Sequence, residues 1–318
     1  VHRTFFSLND PAGAPVAQGA VAALGNFDGV HRGHQAVVAA AVAQARQQNG
    51  QAAAIVFEPH PRQFFQPGAA PFRLQTAGQR ARALGALGVS HVVEVRFEQA
   101  LAALSAEAFG TEILSKRLGV AHVCVGLDFR YGQGRVGNVT ALQVQGRTAG
   151  FAVTVIDEVD DSDHPGDKIS SSAIRAALVA GDVTQAARLL GRPWAIEGRV
   201  IAGQQRGRTI NFPTANIALG DYLRPALGVY AIEATLADGS LHQGVANLGV
   251  RPTVAGADAK PLLEAHLFAF SGDLYGQEIE VALHAFIRPE RKFESFASLT
   301  AQIAADADTA RSLFSAAP

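Results

Sequence analysis

The chain has 318 residues, 48% of them hydrophobic and only 17% charged, with a formal net charge of −1. That length exceeds one ordinary core and predicts two domains, and the composition excludes wholesale disorder. The near-neutral balance offers no electrostatic footprint for nucleic acid or an acidic membrane, whereas a small anionic ligand needs only a few local donors.

In chain order, the first part alternates short apolar runs with helical patterns. Ala20–Gly25, Ala52–Phe57, His91–Phe97, Ala121–Gly126 and Ala152–Asp157 read as strands. Between them Gly33–Asn49, Thr76–Leu87, Ala106–Leu118 and Val139–Arg147 read as helices, with apolar residues such as Phe109, Ile113 and Leu118 at helical spacing. Strands separated by helices predict a doubly wound parallel sheet covered on both faces, with ligands at the carboxyl ends of the strands. Two further helical stretches, Ser171–Ala180 and Thr184–Leu190, end at Gly191-Arg192-Pro193. The pattern then changes to β-runs without intervening helices: Trp194–Ile201, Val229–Leu236, His242–Leu248, Leu262–Phe270 and Glu278–Ile287. These predict an antiparallel sheet or small barrel, and a last helical pattern runs from Ser295 to about Phe314. The expected domains are 1–187 and 188–318.

The single cysteine, Cys124, rules out a disulfide within the chain and lies in an apolar run that suits a buried, inert thiol. No apolar stretch is long enough to span a membrane, and the first residues lead into no signal-peptide core. The expectation is a cytoplasmic protein with neither membrane nor nucleic acid among its partners.

The densest signal is Gly25-Asn26-Phe27-Asp28-Gly29-Val30-His31-Arg32-Gly33-His34, between the first strand and the first helix. Glycines allow close backbone approach, and a helix start favours an anion. His31 and His34, three apart, can donate to phosphate oxygens as charge develops. A shared metal, or an ordinary helix start, are the alternatives for this pair. This segment lacks Gly-x-Gly-x-x-Gly, so it does not carry the dinucleotide fingerprint. Lys168-Ile169-Ser170-Ser171-Ser172-Ala173-Ile174-Arg175 places hydroxyls and an arginine at the start of another helix, where they could cap it or bind phosphate. Glu58-Pro59-His60-Pro61-Arg62 and Gly126-Leu127-Asp128-Phe129-Arg130-Tyr131 follow the second and fourth strands.

In the β-rich part, Gly203 to Thr209 is one residue short of a P-loop, has Arg208 where lysine belongs, and is followed by Pro213, which stops any helix. A glycine turn containing Gly203 and Gly207 can still cradle phosphates. Thr214 and Asn216 alternate in an extended segment and offer oxygens suited to Mg²⁺. Glu264 sits among apolar residues, where a carboxylate faces solvent or has a task.

The first two motifs resemble the signatures of the His-x-Gly-His nucleotidylyltransferases, in particular their FAD-synthetase branch. Gly198–Asn216, with its Pro-Thr-Ala-Asn core, resembles the riboflavin-kinase domain. So do Asn247-Leu248-Gly249, Leu263-Glu264-Ala265-His266-Leu267 and Arg288-Pro289-Glu290-Arg291-Lys292-Phe293. The chain is thereby similar, over roughly residues 15–315, to the bifunctional bacterial riboflavin kinase/FMN adenylyltransferases. The resemblance implies an α/β nucleotidylyltransferase domain followed by an antiparallel β-barrel kinase domain with a terminal helix. It implies ATP, riboflavin and FMN as substrates, FAD as product, and Mg²⁺ as cofactor. His31, His34 and Arg175 would act at the phosphates in adenylyl transfer, and Glu264 would be the kinase base. Thr214 and Asn216 would hold the metal. Gly25, Asn26, Phe27, Gly33, Pro59, His60, Asp128, Phe129, Ser170, Ser171 and Ser172 would bind nucleotide or flavin in the first domain. Gly203, Gly207, Arg208, Pro213 and Arg291 would do so in the second. A different cofactor adenylyltransferase with a passive β-domain is the competing reading.

Overall fold

The computed structural model describes residues 1–11, 13–161, 164–202, 212–250 and 261–315. The chain forms two compact units, one of Val1–Ala69 with Ala77–Ser170, the other of Ala70–Thr76 with Ser171–Pro318.

The first unit contains β1 (His2–Phe6), β2 (Val21–Leu24), α1 (Arg32–Gln47), β3 (Ala52–Glu58), α2 (Pro61–Phe65), α3 (Ala77–Ala86) and β4 (His91–Arg96). It continues with α4 (Gln99–Ala102), α5 (Ala106–Ala108), β5 (His122–Gly126), α6 (Val139–Ala149), β6 (Ala152–Ile156) and a short hairpin, β7 (Asp160–Asp161) with β8 (His164–Lys168). Its main sheet is parallel in every pairing, in the order β1-β4-β3-β2-β5-β6. Alternate strand residues feed two cores. Val21 and Ala23 pack with Val38, Ala41 and Val42 of α1 on one face, while Ala22 and Leu24 pack with Phe109, Ile113 and Leu142 on the other. Buried on both faces, these strands read as continuous apolar runs, which is why they were legible. Cys124 is fully buried, and burial pushes its thiol up to about 11.

Besides the short helices α2 and α4, which were not read from the sequence, three features differ from the expectation. The edge strand β1, His2-Arg3-Thr4-Phe5-Phe6, is too polar and mixed to announce itself, yet it pairs with β4. The predicted helix after residue 106 continues as a π-helix over Phe109–Arg117. The β7–β8 hairpin is too short to carry a period.

The second unit holds α7 (Ser171–Ala180), α8 (Val183–Leu190), β9 (Trp194–Ile201), β10 (Ala215–Ala218), β11 (Gly228–Thr235) and β12 (Leu241–Val250). After them come β13 (Pro261–Leu267), β14 (Glu278–Pro289) and α9 (Phe296–Ser315). The six strands close into an antiparallel barrel ordered β10-β13-β12-β11-β14-β9. Tyr230, Ile232, Leu248, Leu263, Val281 and Leu283 are buried inside it. Ala307 and Ala310 of α9 cover Val229, Ala231 and Val245 on the outside, and Arg288 on β14 grips Asp306 on α9 through Nε at 2.9 Å and Nη2 at 2.7 Å. The four-residue β10 was not read as a strand, and β13 stops at Leu267 rather than residue 270.

Two stretches join this unit from outside the barrel. The helices α7 and α8 pack with it, burying Val183, Ala186, Leu189 and Leu190. Residues 70–76 are an excursion from the first half of the chain: Trp194 Nε1 donates to the Leu74 carbonyl at 2.7 Å, and Thr76 Oγ1 to Glu197 Oε2 at 3.0 Å.

Candidate active sites

In the sheet unit, strand order reverses at β2, which has β3 on one side and β5 on the other. Carboxyl-end loops diverge at such a point and leave a crevice for a ligand. The loop after β2 holds Gly25, Asn26, Phe27 and Gly29. Phe27 (φ 50°), Gly29 (φ 92°) and Val30 (φ 44°) all have left-handed backbone. For a β-branched valine that conformation is strained, and such strain gathers at ligand loops held by their surroundings. Here Gln35 Nε2 donates to the Val30 carbonyl at 2.9 Å, and Phe27, Asp28 and Val30 are buried.

His31 is the N-cap of α1: its Nδ1 accepts from the His34 amide at 3.3 Å. A ring nitrogen that accepts cannot carry a hydrogen, so in the neutral imidazole Nε2 is the donor. The His31 and His34 rings stack at 3.6 Å and 19°, and Phe27 meets His34 edge-on at 5.2 Å. Gly33 explains itself by close approach. A Cβ there would come within 3.3 Å of the His31 ring and 3.6 Å of the Ile169 carbonyl. The serine-rich motif thus starts against the His-x-Gly-His segment, with Ser170 next in line. Among the described residues no group of three or more His, Cys, Asp or Glu side chains could hold a metal ion.

His60 caps α2, its Nδ1 accepting from the Arg62 amide at 3.1 Å, after a cis Glu58–Pro59 bond. Beyond it Phe64, Phe65 and Phe97 form an aromatic cluster with Phe64–Phe97 at 5.3 Å. After β5, Phe129 stacks on Tyr131 at 5.6 Å. Burial raises the Tyr131 phenol to about 12, and it donates to Gln145 at 2.8 Å. Asp128 is an exposed ion-pair partner of Lys168 at 3.2 Å, and Glu158 lies 2.5 Å from the same ammonium. The Glu158 hydrogen bond, opposed by burial and helped by Asp128, holds Lys168 above its usual value.

Ser171, Ser172 and Arg175 belong to α7 in the second unit. Arg175 Nε donates to the Phe72 carbonyl at 2.8 Å, and its guanidinium lies over the Phe72 ring at 5.3 Å.

On the barrel, register assembles what sequence left scattered. Asn216 on β10 pairs with Glu264 on β13, and Glu264 pairs with Asn247 on β12. The alternate positions Ile217, Leu263 and Leu248 are buried, so the polar row occupies the outer face. Asn216 is itself buried, and its Nδ2 donates to the Thr214 carbonyl at 3.3 Å, which orients the amide. Asn247 Nδ2 reaches Glu290 Oε1 at 3.4 Å. His266, two residues beyond Glu264, donates from Nδ1 to the Pro213 carbonyl at 2.9 Å and so tethers the chain just before Thr214. Burial lowers the His266 imidazole despite that bond, and Arg311 lowers it further. Arg291 is held against α9 by Gln302 and lies over Phe293 at 4.8 Å. Gly203, Gly207 and Arg208 lie outside the described residues.

The FAD synthetase family model matches residues 14–173, and the riboflavin kinase family model matches residues 190–314. Curated relatives agree over nearly the full length. The bifunctional riboflavin kinase/FMN adenylyltransferase of Pseudomonas fluorescens is 45% identical over 94% of each chain. That of Escherichia coli K12 is 43% identical over 93% of each. This chain belongs to the bifunctional riboflavin kinase/FMN adenylyltransferase family. The family's fold recurs in a crystal structure described as a macrolide-efflux protein from Streptococcus pneumoniae. That structure is 29% identical and covers 96% of this chain and 98% of its own, with a TM-score of 0.83. Among the described residues, no helix is long and apolar enough to cross a membrane. For this riboflavin kinase/FMN adenylyltransferase relative, both family regions carry their motifs. Sequence reasoning missed Arg80, and it quoted Asn247 and His266 only as parts of motifs, without a role; the partners of all three come from other elements.

Proposed function

We propose that the family's two activities are divided within this chain, adenylylation in residues 1–187 and phosphorylation in residues 188–318. The chain makes FAD from riboflavin in two ATP-dependent transfers. Riboflavin and ATP give FMN and ADP, then FMN and ATP give FAD and pyrophosphate. A passive β-domain beside some other adenylyltransferase finds no place beside a matching riboflavin kinase region.

The observation that carries the kinase reading is the register Asn216–Glu264–Asn247 on one face of the barrel. The 5′-hydroxyl of riboflavin is a poor nucleophile, so a positioned base helps it. Glu264 takes that proton. The Thr214 hydroxyl and the Asn216 amide oxygen are hard, uncharged donors beside a carboxylate, a set that fits Mg²⁺ shared with ATP phosphates. When bound, that ion supplies charge neutralisation at the transferring phosphoryl group. Pro213 and Arg291 are assigned to this site from the sequence, as are Gly203, Gly207 and Arg208.

In adenylylation the attacking group is an ionised phosphate of FMN, and no base is required. The work is positioning and charge stabilisation. His31 donates through Nε2, because Nδ1 is committed to the helix cap. His34 is assigned to the phosphate oxygens as well, and Ser171, Ser172 and Arg175 are assigned to them from the sequence motif alone. Gly25, Asn26, Phe27, Gly33 and Ser170 form the nucleotide cradle, while Pro59, His60, Asp128 and Phe129 bound the flavin and adenine. Partners are these small molecules, and the cytoplasm is the proposed place of work.

The test is incubation with riboflavin, ATP and Mg²⁺, followed by chromatography of the flavins. FMN appearing first and FAD after it is expected. FAD from added FMN without any FMN from riboflavin would remove the kinase half of the reading.

A further inference from the structure

Arg80 on α3 is 1% exposed. A guanidinium stays charged throughout the physiological range, so its burial is costly unless its donors are matched. Two of them are. Nη2 lies 2.8 Å from Glu58 Oε2, and Nη1 donates to the Asn26 carbonyl at 3.3 Å. These partners sit on different loops: Asn26 in the segment after β2, Glu58 at the last residue of β3, directly before Pro59 and His60. The planar fork therefore spans the gap between two of the loops that converge at the carboxyl edge of the sheet.

The contact at Asn26 leads to the proposed chemistry in three steps. Asn26 precedes Phe27, whose left-handed backbone turns the ring edge-on to His34 at 5.2 Å. His34 in turn stacks on His31 at 3.6 Å. We propose that Arg80 is a positioning residue for adenylyl transfer, a buried clamp that fixes the Asn26–Phe27 turn against the Glu58–His60 loop and so sets the place of the His31–His34 pair. This rests on the assignment of that pair to the adenylylation. The fork geometry is the reason for an arginine. A lysine ammonium is a point charge that can serve Glu58 or the Asn26 carbonyl but cannot match both directions at once.

The test uses the full chain and measures FAD formation from supplied FMN, with FMN formation from riboflavin in the same preparations as a control for folding. Arg80→Lys and Arg80→Ala should lower kcat for adenylylation by about 10²-fold, the scale set by a misplacement near 1 Å, while KM for FMN changes little. Guanidinium ion at low concentration should restore rate to Arg80→Ala, whereas urea, of the same shape but uncharged, should not. Glu58→Gln keeps one acceptor for Arg80 and should show a smaller loss in the same direction. Full adenylylation by folded Arg80→Ala would overturn the proposal. So would a loss that guanidinium cannot restore and that parallels a loss of kinase activity, since this marks a purely structural residue. His31→Ala separates the two levels of inference. If it is impaired while Arg80→Ala is not, the clamp fails and the site assignment stands. If His31→Ala keeps full activity, the histidine assignment falls and the clamp's stated target falls with it.

Discussion

The sheet unit and the barrel unit hold the side chains proposed to react in opposite ways. In the sheet unit the site is made of loops beyond the strands, with left-handed backbone at Phe27 and Val30 and a helix cap at His31. In the barrel the site lies on the strands themselves, as a polar row in register across β10, β13 and β12. The difference follows the chemistry assigned to each. A phosphate nucleophile needs several weak donors and close backbone, which a loop at a helix start provides. A hydroxyl nucleophile needs one base at one place, and a strand locked on both sides fixes a carboxylate better than a loop can.

The sharpest way to break this contrast is Glu264→Gln, which keeps shape and removes the base. Riboflavin phosphorylation should fall by about 10²–10⁴-fold, and adenylylation of added FMN should be nearly unchanged. Loss of both reactions, with FMN supplied, would mean that the two sites are not separate.

On the sheet side, His31→Ala and His34→Ala should each cut FAD formation by about 10²–10³-fold while kinase activity persists. Arg175→Ala should share that direction, so that FMN accumulates from riboflavin. At His31 two roles are superposed, since the same ring caps α1. His31→Asn should retain the cap, worth about 1 kcal/mol, without recovering the transfer rate. If the asparagine variant regains activity, capping alone explains His31.

Stability offers a third comparison. The barrel's terminal helix is pinned by a buried fork from Arg288 to Asp306 at 2.7 Å, with side-chain exposures of 18% and 5%. Asp306→Ala leaves that guanidinium without its partner and should cost about 3–5 kcal/mol. Thermal unfolding followed through Trp194, the chain's one tryptophan and part of the barrel, should shift downward. An unchanged transition would make α9 a passive cover.

The smallest effect is set by pH and should be felt in both units. Burial lowers the imidazole of His122 in the sheet and of His284 in the barrel below the ordinary 6.5. The unfolded chain therefore binds more protons just below pH 6.5, and stability rises with pH through that range. These contributions are present above about 6.5 and are lost as pH falls through the lowered folded values. His122→Gln or His284→Gln should flatten the decline of melting temperature between pH 7 and 5. A slope unchanged in both variants would assign the pH dependence to other groups.

Much of both sites was legible because the relevant residues are contiguous. A loop such as Gly25–His34 places its candidate residues as neighbours in sequence, and their types suggest phosphate chemistry directly. The strands of the parallel sheet were legible for a related reason: burial on both faces leaves an unbroken apolar run. The barrel strands announced themselves by turns, but β10 did not, because four residues carry no period of their own. Glu264 read equally well as a solvent-facing strand residue until register set it between Asn216 and Asn247. The alternation Leu263–Glu264–Ala265 gave its face and not its neighbours.

What the sequence determined by itself was the order and kind of most elements and the division into an α/β part and a β part. These depend on local periodicity and on short contiguous motifs. What the tertiary structure alone decided was every pairing across the chain. Residues 70–76 belong to the barrel unit, α7 and α8 pack with it ahead of the barrel strands, and Arg80 reaches both Asn26 and Glu58. Such choices are made by long-range complementarity of hydrogen-bond donors and acceptors. A buried guanidinium has the same letter in the sequence as an exposed one, and only the folded chain brings acceptors such as the Asn26 carbonyl and Glu58 within reach.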